Sequence, residues 1–207
     1  MNTIARVTRS SDYDDIDPPI TTAEAKSHMR VEHSDDDTYI GLLVRAATQV
    51  IEDETRQILV QATFDFQVDA WPEGDIVIPC VPFVSTSFSM SYYDSNGNAT
   101  ALTSGTDYEL DTTSRPGRIW RTPDSTWPSL QADRPRGAVY GSFKAGYATG
   151  ASDAAEKIPP DLVHAVKFLV AHYYRVREPV ELGVSVTEVP LAVRSLIDRN
   201  TFYSLAV

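Results

Sequence analysis

The segment Ile158–Val180, IPPDLVHAVKFLVAHYYRVREPV, constrains the fold more than any other part of the chain. Pro159 and Pro160 suit the first turn of a helix, where a proline costs no intrahelical hydrogen bond. From residue 162 to residue 174 the apolar side chains cover more than one helical face, and a helix of this kind is buried on several sides. Pro179 ends it. The sequence therefore predicts a buried helix that earlier parts of the chain must cover.

Three further segments have helical signals. Thr21 to Glu24 fit a capping box, in which the hydroxyl and the carboxylate bond each other's backbone N–H groups, and predict a short helix to about Val31. An acidic start at residues 34–37 precedes a second helix to about Gln57. Its apolar residues recur every three or four positions, which predicts one buried face: Ile40, Leu43, Val44, Ala47, Val50 and Ile51. A last helix is predicted after Pro190.

From about Gln61 the apolar period changes from 3.6 to 2. Residues 64–68 alternate apolar with polar side chains, and residues 85–92 alternate serines with larger residues, which predicts strands with one buried face. Asn96-Gly97 is typical of a tight hairpin turn, because both central positions need positive φ. Short strands with turn residues between them continue to about residue 145. The region is therefore predicted to be a small antiparallel β unit inserted between helices.

The predicted fold class is α+β, a small four-helix bundle with an inserted antiparallel β unit. Four parts are expected along the chain. They are a flexible N-terminal arm (1–19), a helical bundle (20–61 plus 151–200), the β unit (62–150) and a C-terminal docking tail (201–207). The arm is predicted from its polar, aspartate-rich composition. The tail is predicted to dock because its sequence, TFYSLAV, is apolar, whereas chain ends are usually polar and frayed.

Charge and composition exclude several classes of protein. The formal net charge of −11 argues against a protein that grips the nucleic-acid backbone, which needs clustered lysine and arginine. It is compatible with a surface past which DNA moves without binding. A single cysteine, Cys80, excludes an internal disulfide. No apolar run is long enough to span a membrane and no signal-peptide core is present, so the chain is predicted to fold inside the cell without membrane contact.

No motif in the sequence predicts catalysis, a metal or a cofactor. The four histidines and one cysteine lack zinc-site spacing. Two sets on the β unit could serve a sugar-processing or sugar-binding role, but solvated carboxylates and core aromatics are the commoner interpretation. They are the carboxylates Glu73, Asp75, Asp107, Glu109 and Asp111, and the indoles Trp71, Trp120 and Trp127. The chain is therefore predicted not to be an enzyme.

Several segments together resemble a known family. PPDLVHAVKFLVAHYYRVRE at 159–178, followed by VPLAVRSLI at 189–197, is similar to the head–tail adaptor (connector) proteins of long-tailed bacteriophages and of related gene transfer agents. ITTAEAKSHMR at 20–30 is similar to the first helix of that family. The resemblance extends to residues 76–97 and FKAGY at 143–147. It covers about 20 to 200 and does not separate a phage from a gene transfer agent.

The resemblance implies a ring, of twelve copies in assembled particles, between the portal protein and the stopper or first tail protein. Double-stranded DNA would pass through the ring without specific binding. The location would be the neck of a virion or phage-like particle assembled in the host cytoplasm. Portal docking is expected at Leu191, Val193, Leu196, Ile197, Phe202, Tyr203 and Leu205. A subunit interface is expected at Tyr173, Tyr174, Arg175, Arg177 and Glu178.

Two alternatives remain open at this stage. One is another neck component, a stopper or tail-completion protein. The other is a carbohydrate-binding or wall-degrading virion module built on the β unit, which would need a cleft with convergent carboxylates or exposed indoles.

Overall fold

The computed structural model of the chain describes residues 2–12, 15–176 and 191–202. The described residues divide into two compact units. The β unit contains residues 2–12 and Gln61–Gly146. The helical unit contains residues 15–60, 147–176 and 191–202. The predicted boundary at 150 therefore lies four residues later than the division after Gly146.

The helical unit has five helices within the described residues. They are α1 (Thr22–Met29), α2 (Asp37–Thr55), α3 (Ala151–Lys157), α4 (Pro160–Arg175) and α5 (Leu191–Asn200). The prediction of a four-helix bundle is wrong, because Ala151–Lys157, for which no helix was predicted, forms α3. Its polar residues cap the helix, since the Asp153 carboxylate accepts from the Thr149 and Gly150 N–H groups at 2.8 and 3.2 Å.

The core of the helical unit lies between α2 and α4. One contiguous cluster of buried residues includes Ile40, Val44 and Ile51 of α2 with Leu162 and Leu169 of α4. α1 and α5 each pack on both of these helices. The capping box at Thr21 and Glu24 is present, so this local prediction is confirmed. α2 packs on α4, which confirms the prediction that an earlier part of the chain covers the late helix.

Within the described residues, the β unit has nine strands in two sheets. They are β1 (Thr3–Ile4), β2 (Arg6–Arg9), β3 (Ala62–Val68), β4 (Ile76–Ile78), β5 (Phe83–Tyr93), β6 (Ala99–Leu102), β7 (Tyr108–Asp111), β8 (Gly117–Arg121) and β9 (Val139–Ala145). One sheet has the order β1-β4-β8-β7 and the other the order β2-β3-β9-β5-β6. All pairs are antiparallel except β1 with β4, which is parallel. The chain is thus a mixed α+β protein, and not a small bundle with a minor insertion.

The N-terminal segment, which contains β1 and β2, contributes one strand to each sheet. The Thr3 and Ala5 N–H groups donate to the Asp75 and Val77 carbonyls at 2.9 and 3.1 Å, in the first sheet. The next residues, Arg6–Arg9, pair with β3 in the second sheet. The prediction of a flexible arm is therefore wrong for residues 3–9. Backbone pairing holds this segment, and only Ala5 in it is fully buried, so the sequence has no apolar period to reveal the strand.

Aromatic side chains fill the space inside the β unit. Phe66 and Phe143 are fully buried, and their rings lie 6.2 Å apart between centroids. Phe88 stacks on Phe66 at 5.3 Å and meets Tyr108 of the other sheet edge-on at 5.5 Å. The alternation predicted for residues 64–68 is confirmed, since every second residue of β3 from Ala62 is buried. A hairpin connects β5 and β6, as predicted, and Gly97 has a φ of 84°. The prediction of positive φ at both central positions is wrong, because Asn96 does not have a positive φ.

Within the described residues, none of the helices combines the length and apolar character that a membrane span requires.

Candidate docking surfaces

The last helix, α5, divides the predicted portal-docking residues. Val193 and Ile197 are buried in the core of the helical unit, at 0% and 3% exposed, and Leu196 packs against it. Leu191, at the first position of the helix, is 81% exposed. Val193 and Ile197, two of the four docking residues predicted on α5, therefore stabilise the chain's own fold. Leu191 remains available to a partner.

The residues after α5 are tied to the helical unit through the backbone. The Phe202 N–H donates to the Thr55 carbonyl at 2.9 Å, at the end of α2. The Phe202 side chain is half-buried. Arg199 of α5 also pairs with Asp161 of α4 at 3.2 Å. Tyr203 and Leu205, which were predicted to dock, lie outside the described residues.

The end of α4 holds the predicted subunit interface. Tyr173 and Tyr174 are half-buried and pack against the core of the helical unit. The Tyr174 hydroxyl donates to the Asp36 carboxylate at 2.6 Å, just before α2. Burial raises the pKa of the Tyr173 phenol. Arg175 is exposed at the end of the helix, whereas Arg177 and Glu178 lie outside the described residues. Of the described members, Arg175 is the most accessible.

The outer face of α4 carries an aromatic cluster that the sequence did not single out. His164 and Phe168 lie 4.2 Å apart between ring centroids, and His28 of α1 lies 5.6 Å from Phe168. Phe168 is 37% exposed and His164 is exposed. Burial lowers the pKa of His28, and the nearby charges of His164 and Lys167 lower it further. The wide apolar girth of the 158–180 segment was the available signal, because a helix with more apolar residues than its core face can hold leaves some of them, such as Phe168, partly exposed.

The outer face of α2 is also unusual for a surface helix. Its exposed positions over three turns carry no charge and include a large apolar side chain, Leu42, at 59% exposed. The other exposed members of this stripe are Thr38, Ala46 and Gln49. Surface faces of helices normally carry charged residues. An uncharged stripe with an exposed leucine is therefore a candidate contact surface.

The tryptophans of the β unit are engaged within the unit. Trp71 stacks on Trp127 at 4.2 Å with nearly parallel rings, and its indole N–H donates to the Pro128 carbonyl at 2.8 Å. The Trp120 indole donates to the Glu109 carboxylate at 3.1 Å. All three indoles are half-buried. They act as packing anchors, and no exposed row of rings forms in the described part of the unit.

The β-unit carboxylates serve local turns and pairs. Asp107 accepts from the Thr103 N–H at 2.7 Å, and Asp75 pairs with Arg118 at 3.4 Å. Hydrogen bonds from Ser114 and Thr113 hold the pKa of Asp111 well below its ordinary value. Such a shift keeps a carboxylate ionised, which is the opposite of what a general acid requires. Glu73 is exposed in the turn before β4.

An open cleft of about 280 Å³ is lined by residues of β1 and β2 and by the end of β3 with the residues that follow it. Its mouth holds an ion pair between Arg6 and Asp69 at 2.6 Å, so the two charges compensate each other. The lining residues are Thr3, Ile4, Arg6, Gln67, Val68, Asp69, Ala70 and Trp71. Within the described residues, no group of three or more histidine, cysteine or acidic side chains is arranged to hold a metal ion. Burial raises the pKa of the Cys80 thiol to about 11, so this cysteine is a poor nucleophile.

The early part of the chain matches a protein-family model. Residues 19–78 match the family model described as Phage gp6-like head-tail connector protein. The matched part contains α1, α2, β3 and β4. The resemblance to the head–tail connector family is thereby confirmed over this part of the chain. No curated protein sequence matches the chain.

Solved structures extend the similarity to nearly the whole chain. The chain is similar to a protein in a structure described as "Neck of empty GTA particle computed with C6 symmetry", with a TM-score of 0.73 and 22% identity over 97% of each chain. A protein in "Virion of native gene transfer agent (GTA) particle" gives a TM-score of 0.72 with the same identity and coverage. "Neck of native GTA particle computed with C12 symmetry" gives 0.68. At this identity the similarity shows a shared fold.

Proposed function

We propose that this chain, which resembles head–tail connector proteins, is a structural adaptor in the neck of a phage-like particle. The observation that carries the proposal is the match of residues 19–78 to the connector family. The shared fold with neck proteins over 97% of the chain supports it. The role is structural, since the surfaces described above are suited to docking.

The adaptor would form a ring of copies around the DNA channel. The relatives in neck structures occur in particles described with C6 and C12 symmetry, which supports a ring. A net charge of −11 suits a protein past which DNA slides, because a surface rich in carboxylates does not hold phosphates. Assembly would take place in the host cytoplasm, where the portal and the stopper or first tail protein are the expected neighbours.

Portal docking would use the end of the chain. Leu191 is the most exposed large apolar side chain of the described residues, and an apolar side chain exposed to this extent gains free energy when a partner covers it. Phe202 and the predicted Tyr203 and Leu205 would extend the same contact. Val193, Leu196 and Ile197 would support it from within the helical unit.

A truncation after Asn200 tests the role of the chain end. We expect the shortened chain to keep its helical content in circular dichroism but to fail to join heads to tails, which electron microscopy of assembling particles would show. Normal joining would refute the docking assignment.

A point substitution gives a sharper test with a matched control. Leu191→Glu should impair binding to purified portal, whereas Ala192→Glu changes an adjacent exposed position to the same residue. Equal effects of the two changes would indicate that added charge, and not the loss of the leucine contact, is responsible. Particles that mature with normal necks in the absence of the whole chain would refute the adaptor function itself.

A further inference from the structure

Among the described strands, β6 differs from the other edges of the two sheets. The edges are β1 and β7 in one sheet and β2 and β6 in the other. An edge strand leaves backbone N–H and C=O groups unpaired, and proteins protect such edges with very short strands or charged side chains. β1 has only two residues, β7 carries Glu109 and Asp111, and β2 carries Arg6 and Arg9. β6, with the sequence ATAL, has neither form of protection.

The uncharged stretch extends beyond β6. Residues 98–106, NATALTSGT, contain no charged residue and no proline. Leu102 of β6 lies opposite Met90, a buried residue of β5, but is itself only half-buried because β6 ends the sheet. An extended segment beside β6 would meet no charge there, and an apolar side chain on the same face as Leu102 would cover it.

The hydrogen bonds of β5 show which backbone groups of β6 face the open edge. Tyr93 of β5 lies opposite Ala99. The Tyr93 N–H donates to the Ala138 carbonyl at 2.9 Å, and the Tyr93 carbonyl accepts from the Gln131 N–H at 3.1 Å, so neither group is directed at β6. Bonded and non-bonded pairs alternate along an antiparallel ladder. The N–H and C=O groups of Ala99 and Ala101 therefore point away from β5.

The open edge has room for a short guest strand. The hairpin turn at 94–98 precedes it, and after it the Thr103 N–H donates to the Asp107 carboxylate at 2.7 Å. Between these closed ends, the described part of the chain supplies no hydrogen-bond partner for the outward groups of Ala99 and Ala101. Two donors and two acceptors are thus available, which suits recognition of an extended segment by strand addition.

We propose that β6 accepts an extended, uncharged segment of the neck protein on the tail side, the stopper or first tail protein, as an added strand. This inference rests on the adaptor function proposed above, in which the portal contact uses α5. A second copy does not fit the edge, because its other edges are charged or two residues long. Pairing of β6 with β6 would be a two-fold contact, whereas a ring needs a contact between two different patches.

Hydrogen exchange of backbone amides tests the contact in the native chain. Mass spectrometry would follow the segment 98–103 in the free chain, in heads that carry this chain but no tail, and in necks from tailed particles. The outward amides of Ala99 and Ala101 should exchange fast in the free chain, since nothing in the fold bonds them. We expect both to become protected in tailed necks and to remain unprotected in heads without tails.

A proline at the edge provides a second measurement. Ala101→Pro removes one outward N–H and keeps the bonds to β5, a position at which an edge strand tolerates proline. The fraction of heads that acquire tails should fall by about tenfold or more, because a backbone bond is lost and the proline ring occupies the place of the guest strand. Ala101→Val keeps the N–H at the same exposed position and should join tails normally. Tryptophan fluorescence would show whether the β unit of each variant is folded.

The possible results separate the strand contact from the adaptor function. Unchanged exchange at residues 99 and 101 in tailed necks would overturn the proposal, and so would normal tail joining by a folded Ala101→Pro chain. Protection that is already present in heads without tails would assign the edge to the portal or to a second copy and would also overturn it. If Ala101→Pro does not fold, the exchange measurement on the native chain decides. Necks that lack the chain altogether would instead refute the adaptor function.

Discussion

Among single residues, Glu52 is unusual because its acidic side chain is buried and accepts hydrogen bonds from the backbone. It is 6% exposed in the last turns of α2, and its Oε1 accepts from the Leu59 N–H at 2.7 Å and the Val60 N–H at 3.4 Å. The carboxylate thereby satisfies backbone donors in the segment that leaves the helical unit. A buried donor without a partner costs more than an average hydrogen bond contributes.

Glu52→Ala should lower the free energy of unfolding of the helical unit by about 2–3 kcal/mol, because two buried N–H groups lose this acceptor. Glu52→Gln keeps an acceptor oxygen and should cost less. Asp53→Ala, at the exposed neighbouring position, should change stability by no more than about 0.5 kcal/mol. Urea unfolding followed at 222 nm measures all three. A loss in Asp53→Ala as large as in Glu52→Ala would contradict the role of the buried carboxylate.

Asp153 makes the stability of the helical unit depend on pH. Hydrogen bonds from Lys157, and from Thr149 and Gly150, hold the pKa of its carboxyl below the ordinary value. A carboxyl with a lowered folded-state pKa stabilises the fold above its unfolded pKa, and this stabilisation disappears as pH falls through the folded pKa. Asp153→Asn should therefore be less stable than the native chain at pH 7, and the difference should shrink below about pH 4.

The matched control for this pH series is Ser152→Ala, an exposed change in the same helix that adds or removes no titrating group. Its difference from the native chain should be the same at every pH. If the difference in unfolding free energy between Asp153→Asn and the native chain were also the same at every pH, the hydrogen bonds to Asp153 would not be linked to folding.

At the scale of elements, replacing either of two glycines by alanine is expected to change stability, in opposite directions at the two positions. A Cβ on Gly141 of β9 would lie 2.0 Å from the Ser89 carbonyl oxygen and 2.5 Å from the Phe66 ring, so the sheet could not accept it unchanged. A Cβ on Gly41 of α2 would meet nothing closer than the Thr22 hydroxyl at 3.8 Å. Glycine within a helix is less stable than alanine because of its larger loss of backbone freedom.

Gly141→Ala should destabilise the β unit by about 1–3 kcal/mol or more, and Gly41→Ala should stabilise the helical unit by about 0.5–1 kcal/mol. Each serves as the control for the other, since both add the same methyl group. Midpoints of urea unfolding would measure both. A neutral Gly141→Ala would show that β5 and β9 can separate more easily than their close approach indicates.

The elements that the sequence predicts well are those with a periodic apolar face. α2, α4 and β3 have such faces, and the structure contains each of them close to the predicted bounds. α3 and the N-terminal strands β1 and β2 have no such apolar face. α3 has a single fully buried residue, Ala154, and residues 3–9 have only Ala5, so their positions follow from capping and backbone pairing. Strand pairing depends on residues distant in the chain, and the cap of α3 uses only polar residues, so neither leaves an apolar period in the sequence.

The lack of a local sequence pattern also limits the prediction of the candidate surfaces. The sequence predicts a docking region at α5 but does not separate core from surface there, because Leu191, Val193 and Ile197 have similar side chains. Only the contacts of the folded unit show that Val193 and Ile197 are buried while Leu191 is exposed. The exposed outer face of α2 was not predicted. The sequence assigns α2 one buried stripe, and Leu42 alone does not indicate a second apolar face.

At the scale of the whole molecule, the tryptophans offer a separate view of each unit. Trp71, Trp120 and Trp127 are the only tryptophans of the chain, and all of them belong to the β unit. The helices belong to the other unit, whose buried cluster contains no residue of the β unit. Tryptophan fluorescence therefore reports on the β unit, and ellipticity at 222 nm reports mainly on the helical unit.

Because each unit has a core of its own, a core substitution should shift only the probe of its own unit. Leu169→Ala removes a fully buried side chain from α4 and should cost the helical unit about 2–5 kcal/mol, which lowers the midpoint at 222 nm but leaves the fluorescence midpoint unchanged. Gly141→Ala should do the reverse. Non-coincident transitions are the mark of a chain that does not unfold in one step. If both probes moved together in both variants, the two units would unfold as one cooperative structure, and a change at a docking face in one unit would then alter the stability of the other.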